Sequence, residues 1–326
     1  MAKKKRAKSK KNILGSVAVV AVTLAVILLF AFDSGGEFTA ALSDIWDNTT
    51  AHVTGADTNP AARSLANPDQ HAGELILYAM DTGNSDSLLL YTPDGYSMLV
   101  DAGEPDDFGK ISGTLASFGI EKLDAAVATH PDSDHIGSMD DVLLEYQPAT
   151  FYLPDFTKNT AAYTRMLQAA DQVGGDVVFA GAPLSFTLGE QVQAQVLSPS
   201  GAMPDEANNA SIVLLLTFGE TKILLTGDAE QAALGVLLDQ YGAALDADVL
   251  KVGHHGSYTS TTEELLRAVT PEIGIITCGE GNDYGHPHSE TLDLLAEHGT
   301  LTLRTDQNGD IAVFMDGTEI EYATAA

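Results

Sequence analysis

From position 74 onward, short apolar runs alternate with turn residues and amphipathic stretches. Strand-like runs are Leu75–Met80, Ser87–Thr92, Tyr96–Val100, Ala125–Thr129, Thr150–Leu153 and Val177–Phe179. A second series follows, with Val192–Leu197, Ser211–Phe218, Lys222–Thr226, Val249–Val252, Ile273–Thr277, Leu301–Arg304 and Ile311–Met315. Between them, helical spacing of apolar residues predicts helices over Lys110–Phe118, Met139–Tyr146, Ala161–Val173, Glu230–Tyr241, Thr262–Ala268 and Ser289–His298. Tyr91-Thr-Pro-Asp-Gly-Tyr96 reads as a hairpin turn. No repeat of solenoid length appears. Each half opens with strands and continues in strand–helix units. Two mixed sheets packed face to face, with helices outside, satisfy that order, an α/β (α+β) architecture.

A different pattern precedes this region. Ile13 to Phe32 carries no charge and is long enough for a helix to cross a bilayer. The run KKKRAKSKK just before it predicts a basic cytoplasmic tail over 1–12, with everything after the span outside. A secretory signal has an apolar core of roughly 7–15 residues, so the length favours an uncleaved anchor over 13–32. Small residues near Thr39-Ala40-Ala41 offer a cleavage site, and cleavage would give a secreted protein. Residues 33–73 are rich in Ala, Ser, Thr, Asp and Asn and read as a polar linker, with one short helix around Phe38–Trp46. Residues 74–326 then form the folded domain, long enough to bury a sizeable core.

Charge narrows the partners. Seven of the 16 basic residues lie in residues 3–11, so the rest of the chain has nine against 46 acids, a balance of −37. Such a body does not gather polyanions by a broad basic surface. Nucleic acid is then a substrate only where a local site holds the phosphate. The single cysteine, Cys278, excludes a disulfide framework and any cysteine-rich zinc module.

The strongest chemical signal is Thr129-His130-Pro131-Asp132-Ser133-Asp134-His135, placed at the end of an apolar strand. Imidazoles and carboxylates at this density suit one or two divalent ions. A polar loop with a helix-capping aspartate explains a lone Asp-x-Asp, but not two histidines bracketing two aspartates. Three other apolar strands also end in polar residues, at Asp101, at Asp228 and at His254-His255. Each alone reads as a turn or cap. Together they are how α/β architectures assemble a site at strand ends.

At these residues the chain resembles the metallo-β-lactamase-fold hydrolases. It is most similar to the hydrolase domain of the ComEC-type DNA-uptake competence proteins. The matching segments are D-T-G-N-S-D-S (81–87), L-V-D-A-G (99–103), T-H-P-D-S-D-H-I-G (129–137) and N-N-A-S (208–211). L-L-T-G-D (224–228), L-K-V-G-H-H-G-S (250–257) and Y-G-H-P (284–287) complete the set. The resemblance implies an αββα sandwich with two divalent metal ions, zinc or manganese, at one edge. It places one ion on His130 and Asp132, the other on Asp134 and His135, with Asp228 bridging and His254 as the last histidine ligand. Asp101 and Asp86 would support ligands from behind. The subgroup's Gly-Gln-Gly-Asp-Ser is here Gly83-Asn84-Ser85-Asp86-Ser87. No histidine lies between His135 and Asp228, which leaves the His130/Asp132 position to be completed by water, Asn208 or Asn209.

Asp134, Lys251, His255 and His286 are the candidates for catalysis and substrate contact, with His288 a weaker one. His52, His71 and His298 read as ordinary solvated or partly buried histidines. Neighbouring side chains on an extended segment point opposite ways, so His254 is expected to bind metal and His255 to face substrate. The functional expectation is an extracytoplasmic metal-dependent hydrolase acting on a phosphodiester, with DNA among the candidate substrates. A cell-wall or small-molecule phosphoesterase is the alternative, and a catalytically weak binding module of a surface system is another. β-Lactam hydrolysis is disfavoured by Asp132 and by the missing histidine.

Overall fold

The computed structural model describes residues 65–326. The expected span over 13–32, the short helix around 38–46 and most of the linker lie outside the described residues. Among the described residues no helix is long and apolar enough to cross a membrane. Packing begins before residue 74, the expected start of the folded domain: Ala66 is fully buried and His71 stacks on Phe314 with ring centroids 3.7 Å apart.

Strands β1 (Leu75–Ala79), β2 (Leu88–Tyr91), β3 (Ser97–Val100), β4 (Ala125–Val127), β5 (Thr150–Leu153) and β6 (Asp176–Phe179) lead the chain. They are followed by β7 (Leu184–Leu188), β8 (Val192–Ser198), β9 (Val213–Phe218), β10 (Thr221–Leu225), β11 (Val249–Lys251) and β12 (Ile273–Ile276). The last are β13 (Leu301–Arg304), β14 (Ile311–Met315) and β15 (Ile320–Thr324). One sheet has the order β15-β14-β1-β2-β3-β4-β5-β6, the other β13-β12-β11-β10-β9-β8-β7. In each, an antiparallel half joins a parallel half, the parallel pairs being β3–β4–β5–β6 and β10–β11–β12–β13.

The period of two along a strand explains the layering. Leu75, Leu77 and Ala79 of β1 enter the core between the sheets, with Leu88 and Leu90, Val192 and Val196, Ile223 and Leu225. Ile76 and Tyr78 of the same strand point the other way, into a core roofed by helices Phe108–Ser117, Met139–Tyr146 and Ala161–Val173. Leu224 and Leu250 face a third core beneath Gln231–Tyr241, Glu263–Val269 and Ser289–Glu297. Strands buried on both faces read as continuous apolar runs rather than alternating ones. The result is the expected αββα sandwich.

Two strands escape the sequence pattern. β7 and β15 are the outermost strands at one end of each sheet. Both expose alternate or most positions, so their apolar signal is thin. The hairpin forms as read: Thr92 N donates to Tyr96 O at 2.9 Å and Gly95 takes φ 85°.

Candidate metal centre

The carboxyl ends of β3 and β4 in one sheet and of β10, β11 and β12 in the other meet at one edge of the sandwich. Backbone bonds stitch the loops that leave them. Asp86 N donates to Asp134 O at 3.0 Å, Ala102 N to His135 O at 2.7 Å and Gly137 N to Gly103 O at 2.7 Å. Gly137 is required there, because a Cβ would meet the backbone of Glu104 at 2.4 Å. His254 N donates to Gly227 O at 3.2 Å, tying the β10 and β11 loops together.

Four side chains from these loops converge. Atoms of Asp134, His135, Asp228 and His255 all lie within 4.8 Å of one another. His135 Nε2 is 3.3 Å from Asp228 Oδ1, and His255 Nε2 is 3.3 Å from Asp134 Oδ2. A looser group surrounds the other oxygen of Asp228: His130 Nε2 stands 3.9 Å from Oδ2 and His254 Nε2 3.7 Å. Asp132 Oδ1 lies 4.0 Å from His130 Nε2. Asp228 thus has imidazoles on both of its oxygens, the position a bridging carboxylate needs.

The donor set fits divalent cations. The Nε2 atoms of His130, His135 and His255, and Asp228 Oδ1, are buried without a hydrogen-bond partner. Buried polar atoms left unpaired are costly, so an absent partner is expected there. Charge tells the same story. Burial opposes a charge on Asp228, yet His135 and His255 hold its pKa well below the carboxylate range. Burial also opposes charge on His135, but Asp228 and Asp101 hold its pKa well above the usual histidine value. These carboxylates demand positive charge, which a divalent ion would supply in place of protons. Burial and the neighbouring His135 lower the pKa of His130 and keep it neutral, as a metal ligand must be.

Supporting contacts orient the ring nitrogens. Asp101, at φ 62°, places Oδ2 2.8 Å from His135 Nδ1, while its Oδ1 accepts from Thr129 N at 2.7 Å. The carbonyl of Thr277 accepts from His255 Nδ1 at 3.0 Å, which turns the Nε2 lone pair inward. Asp86 Oδ1 lies 3.4 Å from the same Nδ1.

Several sequence expectations are redrawn by this geometry. Of the adjacent histidines, His255 and not His254 sits in the compact group. The segment is not extended: His254 and His255 take φ 50° and 52° in a tight turn, so side-chain alternation does not apply. Gly256 closes that turn at φ 86°, where a Cβ would strike Pro287 at 2.5 Å. His254 is partly exposed, with Nδ1 3.2 Å from Glu230 Oε1. It stands beside the His130/Asp132 position that the sequence leaves short of ligands.

Lys251 does not reach the cleft. As the third residue of β11 it shares the inward face of Val249, and its Nζ pairs with Asp86 Oδ2 at 2.8 Å, fully buried. Losing one partner of such a pair costs about 3–5 kcal/mol. Asn209 is also turned away. Its Oδ1 accepts from Ala233 N at 3.1 Å in helix Gln231–Tyr241. Asn208 faces the cleft instead.

The cleft over the cluster has a volume of about 270 Å³, and Asp132, Lys158, Asn208, His254, Tyr284 and His286 are among the residues around it. Lys158 was not singled out from the sequence, although it is one of nine cations in the acidic body. Its Nζ pairs with Asp132 Oδ1. His286 has a buried Nδ1 without a partner. Burial, then His254, lowers its pKa to about 4, so it is neutral at pH 7. His288 is engaged by Tyr258 N, which donates to its Nδ1 at 3.2 Å.

The metallo-beta-lactamase superfamily model matches residues 80–280, well over half of the chain. The chain belongs to this superfamily. Over 199 residues it is 38% identical to ComE operon protein 3 of Bacillus subtilis, covering 60% of this chain and 25% of that one. It is 34% identical over 206 residues to Recombination protein 2 of Haemophilus influenzae, covering 63% and 24%. With Competence protein ComA of Neisseria gonorrhoeae the identity is 30% over 206 residues, covering 60% and 26%. The chain therefore spans about a quarter of the length of these curated relatives. Among solved structures, the metallo-beta-lactamase fold protein YhfI from Bacillus subtilis aligns with a TM-score of 0.48 at 13% identity, over 71% of this chain and 95% of that one. The family and the donor set are those of a metal-dependent hydrolase.

Proposed function

We propose that the protein is a metal-dependent phosphodiesterase held outside the cell membrane by residues 13–32. The observation that carries the hydrolytic reading is the ring of unpaired, buried ligand atoms around Asp228. Asp134, His135, His255 and Asp228 would hold one ion, and His130, Asp132 and His254, together with Asp228, the other. Three carboxylates beside four imidazoles suit zinc or manganese. Bound ions supply Lewis acidity, activating water at neutral pH and neutralising charge that develops on phosphoryl oxygens.

The chain's own residues add the rest. Lys158 brings positive charge to a phosphate, the role that buried Lys251 does not fill. Neutral His286 lines the cleft with a buried, unpartnered Nδ1, and its imidazole would offer a hydrogen bond to an ester oxygen. The −37 balance of the body disfavours a long duplex and favours a single strand or a small or cell-wall phosphodiester. Similarity to competence proteins supports nucleic acid among these.

Purified full-length protein is expected to retain zinc or manganese and to hydrolyse bis-p-nitrophenyl phosphate. Chelation should take the rate to background, and metal should restore it. A protein that retains no metal, or a rate indifferent to chelation, overturns the reading. For topology, the protein should pellet with membranes, and protease added to intact cells should remove the domain. Recovery of the full-length chain from the cytosolic fraction would sink the anchor assignment.

A further inference from the structure

We infer that Tyr284 and Asn84 form a subsite for one unpaired nucleobase beside the phosphate position, a substrate assignment that rests on the phosphodiesterase reading above. The starting point is an aromatic ring in the wrong place for packing. Tyr284 is 70% exposed, although it sits in the cleft wall. Aromatic side chains contribute large area when buried, and an exposed one beside a polar cluster is available to a ligand.

Its position relative to the cluster is well defined. The Tyr284 ring stacks on His286 with centroids 5.6 Å apart and an interplanar angle of 20°. His286 is in turn 5.3 Å from the ring of His254 and 6.3 Å from that of His255. One ring therefore separates Tyr284 from the imidazoles around Asp228. The loop is held firmly. Asn282 Oδ1 accepts from His286 N at 3.0 Å, and Asn282 Nδ2 donates to Gly279 O at 2.9 Å and to His286 O at 2.5 Å. Presenting the ring thus requires little further ordering when a ligand arrives.

The second observation is independent. Asn84 Oδ1 is buried and has no hydrogen-bond partner, and Asn84 lines the same cleft. The two loops touch, since a Cβ on Gly279 would lie 3.0 Å from Asn84 N. A stacking face and an unpaired amide oxygen lining one cleft suit a nucleobase: the ring accepts any base, and the amide can pair with its polar edge. A base inside a duplex offers no free face, so the subsite selects an unpaired nucleotide. Such binding relies on one ring and one local cation, Lys158, and needs no basic surface.

The test compares two esters with the same leaving group, thymidine 5′-(p-nitrophenyl phosphate) and methyl p-nitrophenyl phosphate. Wild type should have the lower KM for the thymidine ester. Tyr284→Ala should shrink that KM advantage about tenfold with kcat on the thymidine ester within about twofold, and Tyr284→Phe should keep it. Asn84→Ala should shrink it as well. Independently of turnover, a dinucleotide containing 2-aminopurine should be quenched saturably by metal-stripped wild type and not by Tyr284→Ala. Equal KM changes on both esters, or quenching that survives Tyr284→Ala, overturns the proposal. So does a Tyr284-dependent KM advantage on a glycosyl phosphodiester without one on the thymidine ester, because the ring then serves a sugar. If neither ester is turned over but quenching still depends on Tyr284, the base subsite stands and the phosphodiesterase reading fails.

Discussion

Asp228→Asn should empty the metal centre and lower hydrolysis by about 10²–10³-fold or more, the loss expected when a central electrostatic group is removed from a closed site. Asp228 is almost fully buried at the end of β10, with Oδ1 3.3 Å from His135 and Oδ2 facing His130 and His254. Asparagine keeps the shape but removes the charge, and its amide turns one acceptor into a donor aimed at imidazole nitrogens. The fold should survive, because the backbone N of residue 228 still donates to Ser211 Oγ, at 3.1 Å in the native chain. Metal content by atomic emission, circular dichroism and phosphodiesterase rate check this together. An Asn variant with native metal stoichiometry and native rate removes Asp228 from the bridging role.

The adjacent histidines provide the second large effect. His255→Ala should release the ion of the compact group and abolish turnover, whereas His254→Ala should keep that ion and weaken only the other position. The difference follows from burial and tautomer. His255 is 1% exposed, its Nδ1 is bound to the Thr277 carbonyl and its Nε2 faces Asp134 and Asp228. His254 stands partly in solvent beside Glu230. In equilibrium dialysis against Zn²⁺ and Mn²⁺, His255→Ala should bind at least about 10-fold more weakly, the lower end of what disturbing a metal's ligand sphere costs. If His254→Ala loses all metal while His255→Ala retains it, the roles are the reverse.

Much of this molecule was legible in one dimension. Strands such as Leu75–Ala79 and Val213–Phe218 are buried on both faces, so their apolar runs are unbroken and visible without a structure. The candidate ligands were visible as well, because Asp101, His130 to His135, Asp228 and the histidine pair each terminate such a run. The edge strands β7 and β15 were not. An edge position buries fewer side chains, and the pattern that marks a strand comes from burial.

What the sequence by itself determined is the set of chemical groups and the strand ends that carry them. Which groups face one another was decided only by the tertiary structure. Two sheets had to pack before Lys251 was sealed against Asp86 across the interior rather than offered to a substrate. The turn at 253–256 had to take positive φ at two histidines before His255 swung inward and His254 outward. Lys158, Tyr284 and Asn84 belong to loops far apart in the chain, and no local spacing announces that they share one cleft. Burial patterns follow from local periodicity, which a sequence displays. Convergence depends on how sheets register and loops close, and that is settled by packing across the whole fold.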